Sequence, residues 1–258
     1  MKDRCICTSE KSLSLLAIDV SNSFTKIALF DGLDIEKKLT VPTPQLKKGI
    51  FRQKLLKWKY DAVVISSVVP GVRSALEKTF KGSAIHWVTN RSPLGIGIDY
   101  PKPSSIGADR LCNAVACSKL FGKPAIVVDF GTAVTFDVIS SRGDYIGGII
   151  APGLNAMTDY LHERTALLPR VKLKEPRSAL GKSTVEAIRI GAVIGYRGLI
   201  RGLLTALVEE QFSKQSPVLV ATGGDAALIA SAMPEFAAVD PDLTLQGVCI
   251  IGHLAFKQ

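Results

Sequence analysis

Histidine is scarce in this chain, with only His86, His162 and His253 among 258 residues, and tryptophan, methionine and cysteine are also few. The five cysteines (Cys5, Cys7, Cys112, Cys117 and Cys249) form no C-x-x-C pair, and the histidines lie far from any cysteine pair. That spacing excludes a zinc site and leaves reduced thiols, as expected of a cytoplasmic protein. No uninterrupted apolar run reaches about 18 residues, so no membrane-spanning segment is expected. The N-terminus mixes Lys2, Asp3, Arg4, Glu10 and Lys11 before an apolar stretch that runs into Asp19. This is a strand following a loose tail over residues 1–13, not a secretory signal. Acids are outnumbered, 23 against 32 lysines and arginines, for a net charge of +9. The basic residues are spread along the chain, with no continuous basic block and no RNA-binding aromatic motif. Nucleic acid is therefore not the expected partner, and the surface suits small anionic substrates.

What the chain does have is a repeat. Leu15–Phe30 (LLAIDVSNSFTKIALF) and Ala125–Ser140 (AIVVDFGTAVTFDVIS) match at an offset of 110 residues. Each carries an apolar run ending in an aspartate (Asp19, Asp129), a small turn residue (Ser21, Gly131), a threonine (Thr25, Thr135) and a second apolar run. A hairpin written twice predicts a duplicated α/β chain, with an N-terminal domain over 14–120 and a C-terminal domain over 121–258. The pattern predicts further strands in DAVVISSVVPGV (61–72), AIHWVT (84–89), GGIIAPGL (147–154) and PVLVATGG (217–224). Helices are expected over 46–60, 74–80, 108–121, 155–164, 183–212, from about 225, and over 243–256.

Two tempting motifs fail. GKST (181–184) lacks the glycine five residues upstream that a phosphate-binding P-loop needs, since Pro176 stands there. Either Ser183 or Thr184 caps the following helix, or the segment meets a ligand. Gly95-Ile96-Gly97 lacks the third glycine and the strand-to-helix context of a dinucleotide fingerprint. Three small-residue turns remain, each after a buried strand: Asp19 to Thr25, Asp129 to Ala133, and Thr222-Gly223-Gly224-Asp225. Such turns present backbone N–H groups to phosphates beside carboxylates that attract a cation. Phosphoryl transfer asks for those two things and a group to accept the alcohol proton. Asp109 at a helix start, next to Arg110, supplies a base and an anion clamp able to grip a carboxylate through two donors.

Together IDVSNSFTK, SSVVPGV, IGADRLCNAVA, VVDFGTAVTFDVI, GGIIAPGL, TALLP, GKST and ATGGDA resemble type III pantothenate kinases, in order from about residue 15 to the C-terminus. The resemblance implies two ribonuclease-H-like halves with a nucleotide cleft between them, as in the acetate and sugar kinase, Hsp70 and actin superfamily. It implies ATP-dependent phosphorylation of pantothenate to 4′-phosphopantothenate, the first committed step towards coenzyme A. It also implies a homodimer, Mg²⁺ with the ATP, and a monovalent cation, K⁺ or NH₄⁺. By the same resemblance the first phosphate loop falls on Asp19, Ser21, Asn22, Ser23 and Lys26, and the proton acceptor on Asp109. Substrate contacts fall on Tyr100, Gly107, Ala108, Arg110 and Thr184. The monovalent-cation ligand falls on Asp129, a phosphate contact on Thr132, and the nucleoside turn on Gly223 and Gly224. One position departs from the family pattern: its first loop carries glycine where this chain has Ser21. If that position needs positive φ or close approach to a phosphate, a side chain there is costly; serine is the mildest replacement and can add a hydroxyl donor, so a working kinase, its ATP binding weaker if anything, is expected. Ser21 and the positive charge also permit an alternative, a nucleotide-binding accessory or regulatory protein that kept the fold without kinase activity.

Overall fold

The computed structural model describes residues 13–48, 50–212 and 215–257. Apart from Leu13, the expected N-terminal tail lies outside the described residues, as do Cys5 and Cys7. Among the described residues ten strands form two mixed sheets. The first contains β1 (Ser14–Val20), β2 (Phe24–Asp31), β3 (Asp34–Pro42), β4 (Ala62–Ser67) and β5 (Ala84–Trp87), in the order β3-β2-β1-β4-β5. The second contains β6 (Ala125–Phe130), β7 (Ala133–Ile139), β8 (Tyr145–Pro152), β9 (Val218–Thr222) and β10 (Ala238–Val239), in the order β8-β7-β6-β9-β10. Each sheet is therefore an antiparallel three-strand meander followed by two parallel strands, and the second copies the first strand for strand. Even the irregularity recurs, with a register shift after Leu29 in β2 and after Val138 in β7.

Alternation along the strands decides what faces the middle of the molecule, because successive side chains point to opposite faces. Leu15 and Ala17 of β1, and Ala125 and Val127 of β6, join one central core; Leu16, Ile18 and Val20, and Ile126, Val128 and Phe130, face outward into two separate cores. The central core is filled by α3 (Ala108–Leu120) and α7 (Leu243–Phe256), which pack on each other between the sheets. Helix α7, from the second half of the chain, lies on β1 and β4; α3, from the first half, lies on β6 and β7 as well as β4. Carried two residues further, the same alternation turns Asp19 and Asp129 inward.

The outer layers differ in weight. On the first sheet lie α1 (Ile50–Leu55) and α2 (Arg73–Thr79). The helix expected over 46–60 is thus only six residues long; a 3-10 segment precedes it, and Trp58 and Tyr60 turn down onto the outer core instead of continuing the helix axis. On the second sheet lie α4 (Ala156–Arg164), the 28-residue α5 (Thr184–Gln211) and α6 (Ala226–Ala230). By length and composition α5 meets the test for a membrane-spanning helix, which the sequence was not expected to contain. Its inward face, with Val193, Tyr196, Ile200 and Leu204, covers the second sheet. Arg197 in mid-helix is buried and forked onto Glu175 at 2.9 and 2.6 Å, with the Leu228 and Ile229 carbonyls accepting further bonds.

The repeat is not uniform in register. Asp19 pairs with Lys26, whereas Asp129 pairs with Thr135, because the second turn is one residue shorter. The offset is 110 on the first strands but 109 on the second, so Thr25 and Thr135 are not equivalent after all. Thr25 faces outward, where its hydroxyl meets that of Thr43 at 3.0 Å, and the position equivalent to Thr135 is Lys26.

The α3–α7 contact depends on Gly247, where an added Cβ would run into the Cys112 backbone carbonyl. Gly247→Ala should therefore lower stability by about 1–3 kcal/mol through overpacking, read as a fall in thermal midpoint. An unchanged midpoint would mean the two helices are not held this closely.

Candidate active site

Four carboxylates converge where the two sheets meet the start of α3. Asp19 and Asp129 end the central strands β1 and β6. Asp109 stands in the first turn of α3, and Asp137 comes from β7. Burial raises Asp19 to about 7, with Asp109 and Asp129 adding repulsion and Lys26 opposing. Asp109 is raised by burial, held back by the backbone N–H of Arg110 at 2.8 Å and by the Arg110 charge. Asp129 is likewise raised by burial, against a hydrogen bond from Asn113. Asp137, with no exposed surface, is pushed by burial to about 7 despite its ion pair with Arg110. Like charges in one low-dielectric space resist ionisation, and this crowding is the electrostatic signature of the site.

Arg110 is fixed by the protein from one side. Its Nε donates to Asp137 Oδ1 at 2.6 Å and its Nη2 to the Phe136 carbonyl at 2.8 Å. A guanidinium has five N–H donors, so the Nη1–Nη2 end stays available for a carboxylate. Gly148, opposite Asp137 in the β7–β8 ladder, makes the approach possible: a Cβ there would meet the Phe136 carbonyl and lie 2.5 Å from Arg110 Nη2. Tyr145 sits under the guanidinium, 5.8 Å from it, and packs edge-on with Tyr100 at 6.1 Å. Tyr100 thus reaches the clamp only through the Tyr145 ring. Gly107, preceding α3, leaves room for the Asp109 carboxylate, which a Cβ would strike; Ala108 opens the helix beside it.

The two hairpin turns face each other directly. Ser23 Oγ and Thr132 Oγ1 lie 3.1 Å apart, one from each half, and Asn22 is at the exposed tip of the first turn. The first turn is held by Thr43, whose hydroxyl donates to the Ser21 carbonyl at 2.6 Å and whose N–H donates to the Ser23 carbonyl at 3.0 Å. The second is backed by Gly153, where a Cβ would crowd the Gly131 and Thr132 carbonyls. Among the described residues positive φ is confined to glycines, and neither Ser21 nor Gly131 has it. The strain expected of serine at position 21 is therefore absent. Its hydroxyl instead donates to Asp19 Oδ2 at 3.1 Å, lowering the aspartate's proton affinity. Lys26 reaches across to the Pro241 carbonyl at 3.3 Å, ahead of α7. Gly223 does need glycine: its φ is +96°, and a Cβ would lie 2.5 Å from Asp129 Oδ1 and 2.6 Å from the Phe130 carbonyl. Gly224 beside it borders open space.

A type III pantothenate kinase family model matches residues 15–206. A type III pantothenate kinase of Akkermansia muciniphila is 47% identical over 243 residues, covering 94% of this chain and 99% of that protein. Another, from Methylacidiphilum infernorum, is 43% identical over 244 residues, 95% of this chain and 90% of its own. The chain belongs to the type III pantothenate kinase family. Among solved structures, a Baf family protein of Campylobacter jejuni superposes with a TM-score of 0.60 at 21% identity, covering 93% of this chain and 96% of its own. The activator of 2-hydroxyisocaproyl-CoA dehydratase from Clostridium difficile, solved with ADPNP, gives 0.53 at 12%, covering 95% of each chain. At these identities the likeness concerns the fold alone, a two-domain α/β arrangement of the actin-like and sugar-kinase type.

For this pantothenate kinase family member, most of the site residues named from the sequence come together, but Thr184 stands apart. It is the exposed first residue of α5, behind Ser183, whose Oγ accepts the Glu186 N–H at 3.3 Å as a helix cap. The cavity beside it, about 440 Å³, is lined by Lys174, Arg177, Lys182 and Arg189 together with Glu175 and Glu186, and by none of the four aspartates. Asp137, Asn113, Tyr145 and Gly148 were not among the candidates from the sequence.

The raised carboxylates make a linkage prediction. Asp19 moves from 3.8 to about 7 on folding, so the folded chain holds a proton that the unfolded chain releases between about pH 4 and 7. Ligand-free stability must fall as pH rises through that window. Asp19→Asn, never charged, should be more stable than wild type at pH 8 by on the order of 4 kcal/mol, and no more stable near pH 4. Urea unfolding at several pH values measures this; a variant less stable than wild type at pH 8 would contradict it.

Proposed function

We propose that this protein transfers the γ-phosphoryl group of ATP to the primary hydroxyl of pantothenate, giving 4′-phosphopantothenate and ADP on the way to coenzyme A. The observation that carries this is the placement of Asp109, its proton affinity raised by burial, beside an arginine with one carboxylate-sized edge free. A base poised nearer neutrality is what general-base work at physiological pH favours. Asp109 takes the hydroxyl proton as the oxygen bonds to the γ-phosphorus and the bond to the β-phosphate oxygen breaks. The free edge of Arg110 holds the pantothenate carboxylate, with Tyr100 and the Gly107–Ala108 backbone beside it. The facing turns, through Ser21, Asn22, Ser23 and Thr132, with Lys26, cradle the phosphates, and the Gly223–Gly224 turn lies against the nucleoside. Thr184 stays a proposed pocket residue only.

The cation ligands fit on structural grounds. Asp19 Oδ1 is buried and has no hydrogen-bond partner, which leaves one carboxylate oxygen to offer a cation. That suits Mg²⁺, which needs one or two carboxylates and otherwise takes water and phosphate oxygens. When bound it neutralises charge on the phosphates. Asp129, with its Oδ1 beside Gly223 and the Phe130 carbonyl, is the proposed ligand for K⁺ or NH₄⁺. The accessory-protein alternative draws no support from the family match or from the curated relatives, which are named as kinases.

A homodimer is proposed from the outer surface of the second half. Tyr160 of α4 is 65% exposed and Leu167 is 91% exposed, and Gly191, Gly195, Gly198 and Gly202 leave one side of α5 open. The buried free thiols of Cys112, Cys117 and Cys249 suit a cytoplasmic setting.

Purified protein given ATP, Mg²⁺, K⁺ and pantothenate should form phosphopantothenate and run at about twice 27.6 kDa by light scattering. Asp109→Asn should lose on the order of 10²–10⁴ in kcat while still binding nucleotide. No turnover by the wild type would overturn the reading, as would full activity in the variant.

A further inference from the structure

Asn113 is polar and has no exposed surface, in a helix whose neighbouring residues Leu111, Cys112, Ala114 and Val115 fill the central core. It stands one helical turn after Asp109, on the same face of α3. Its amide nitrogen donates to Asp129 Oδ2 at 3.2 Å and makes a longer contact with Asp137 Oδ2 at 3.5 Å. Its carbonyl oxygen accepts from Thr244 Oγ1 of α7 at 2.8 Å. Thr244 is itself buried and can come this close because Gly247, on the adjacent turn of α7, lets the two helices meet without a side chain between them.

The two carboxylates that Asn113 faces belong to different parts of the proposed site: Asp129 is the proposed monovalent-cation ligand, and Asp137 holds Arg110. An amide reversed end for end would aim its carbonyl oxygen at both. Ionised carboxylates only accept, so they set the orientation, and the Thr244 hydroxyl, able to donate or accept, donates to the Asn113 oxygen and holds it away from the acids. A neutral donor also suits the position: a lysine would add a charge where the cation is expected, and an aspartate would add a fifth negative group.

We infer that Asn113, locked by Thr244, is a positioning residue that sets Asp129 and the Asp137–Arg110 pair against each other, so that cation and substrate binding share one support. This rests on the reading of Asp129 and Arg110 proposed above. It extends the site to α7, which reaches none of the acids with an acid or a base of its own.

The test compares Thr244→Val, which keeps shape and removes the hydroxyl, with Thr244→Ser, which restores it. Pantothenate binding is measured by calorimetry at fixed ADP and Mg²⁺, in KCl and in its absence, with thermal midpoints recorded for each protein. Thr244→Val should weaken pantothenate binding about tenfold and raise the K⁺ concentration needed for half of the binding enhancement by a similar factor. Thr244→Ser should return both to within about twofold of wild type. A Thr244→Val protein that binds pantothenate like wild type overturns the inference, as does a lowered thermal midpoint with both binding constants unmoved. If the wild type binds pantothenate without responding to K⁺, the cation assignment of Asp129 fails instead, and the pantothenate comparison still decides the role of Thr244. Should Thr244→Val not fold, Thr244→Ala takes its place under the same criteria.

Discussion

The burial of four aspartates in one partly dry space, with repulsion from neighbouring acids added for Asp19, Asp129 and Asp137, is the constraint on which the rest of this structure depends. Carboxylates removed from water either find partners or keep their protons. Arg110 partners Asp137 at 2.6 Å, Asn113 donates to Asp129, Ser21 donates to Asp19, and the backbone of Arg110 donates to Asp109. None of these is enough to bring the acids back to their ordinary range. The site is thus left short of positive charge, and a nucleotide's cations are what would complete it. Stability is given up locally so that binding has something to recover, a common arrangement where function and folding compete for the same groups.

The duplicated fold explains how the acids meet. Two meanders with identical strand order present the ends of their central strands to each other, and the helix after each half crosses to the space between the sheets. That scaffold is close to symmetric, but the site is not. Asp137 on β7 corresponds to Ala28 on β2 once the shorter second turn is allowed for. Lys26 corresponds to Thr135. Helix α3 opens with a base and an arginine, while α7 opens with apolar residues and supplies only Thr244. One copy of the hairpin gathers most of the proposed phosphate contacts and the proposed Mg²⁺ ligand; the other adds Thr132, anchors the arginine and carries the proposed monovalent-cation ligand.

Much of the architecture could be read from the residues. Strands with alternating or continuous apolar runs, the glycine-stopped α3 and the Ser183-capped α5 all lie where their patterns put them. Asp137 could not be seen, because in AVTFDVI a polar residue at alternate positions is the ordinary mark of a solvent-facing edge. Only the packing of α3 against β7 turns that face inward. At a fixed offset of 110 it also fell opposite Ile27, which hid the asymmetry that a one-residue register change reveals. Asn113 was concealed within an apolar helix, and its role depends on α7, a segment 131 residues away in sequence. Ser21 was half legible: glycine at that loop position suggested positive φ, which the backbone does not have, while the hydroxyl donor that serine offers does serve Asp19.

The central claim is that Asp19 waits partly protonated and ionises when the nucleotide and its cations arrive. Calorimetric titration of Mg²⁺ with a non-hydrolysable ATP analogue, at pH 7 in buffers of different ionisation enthalpy, counts the protons exchanged on binding. With Asp19 held at about 7, binding should release a net fraction of a proton per site, and Asp19→Asn should reduce that release. Binding with no proton exchange, or with net uptake, would contradict the account.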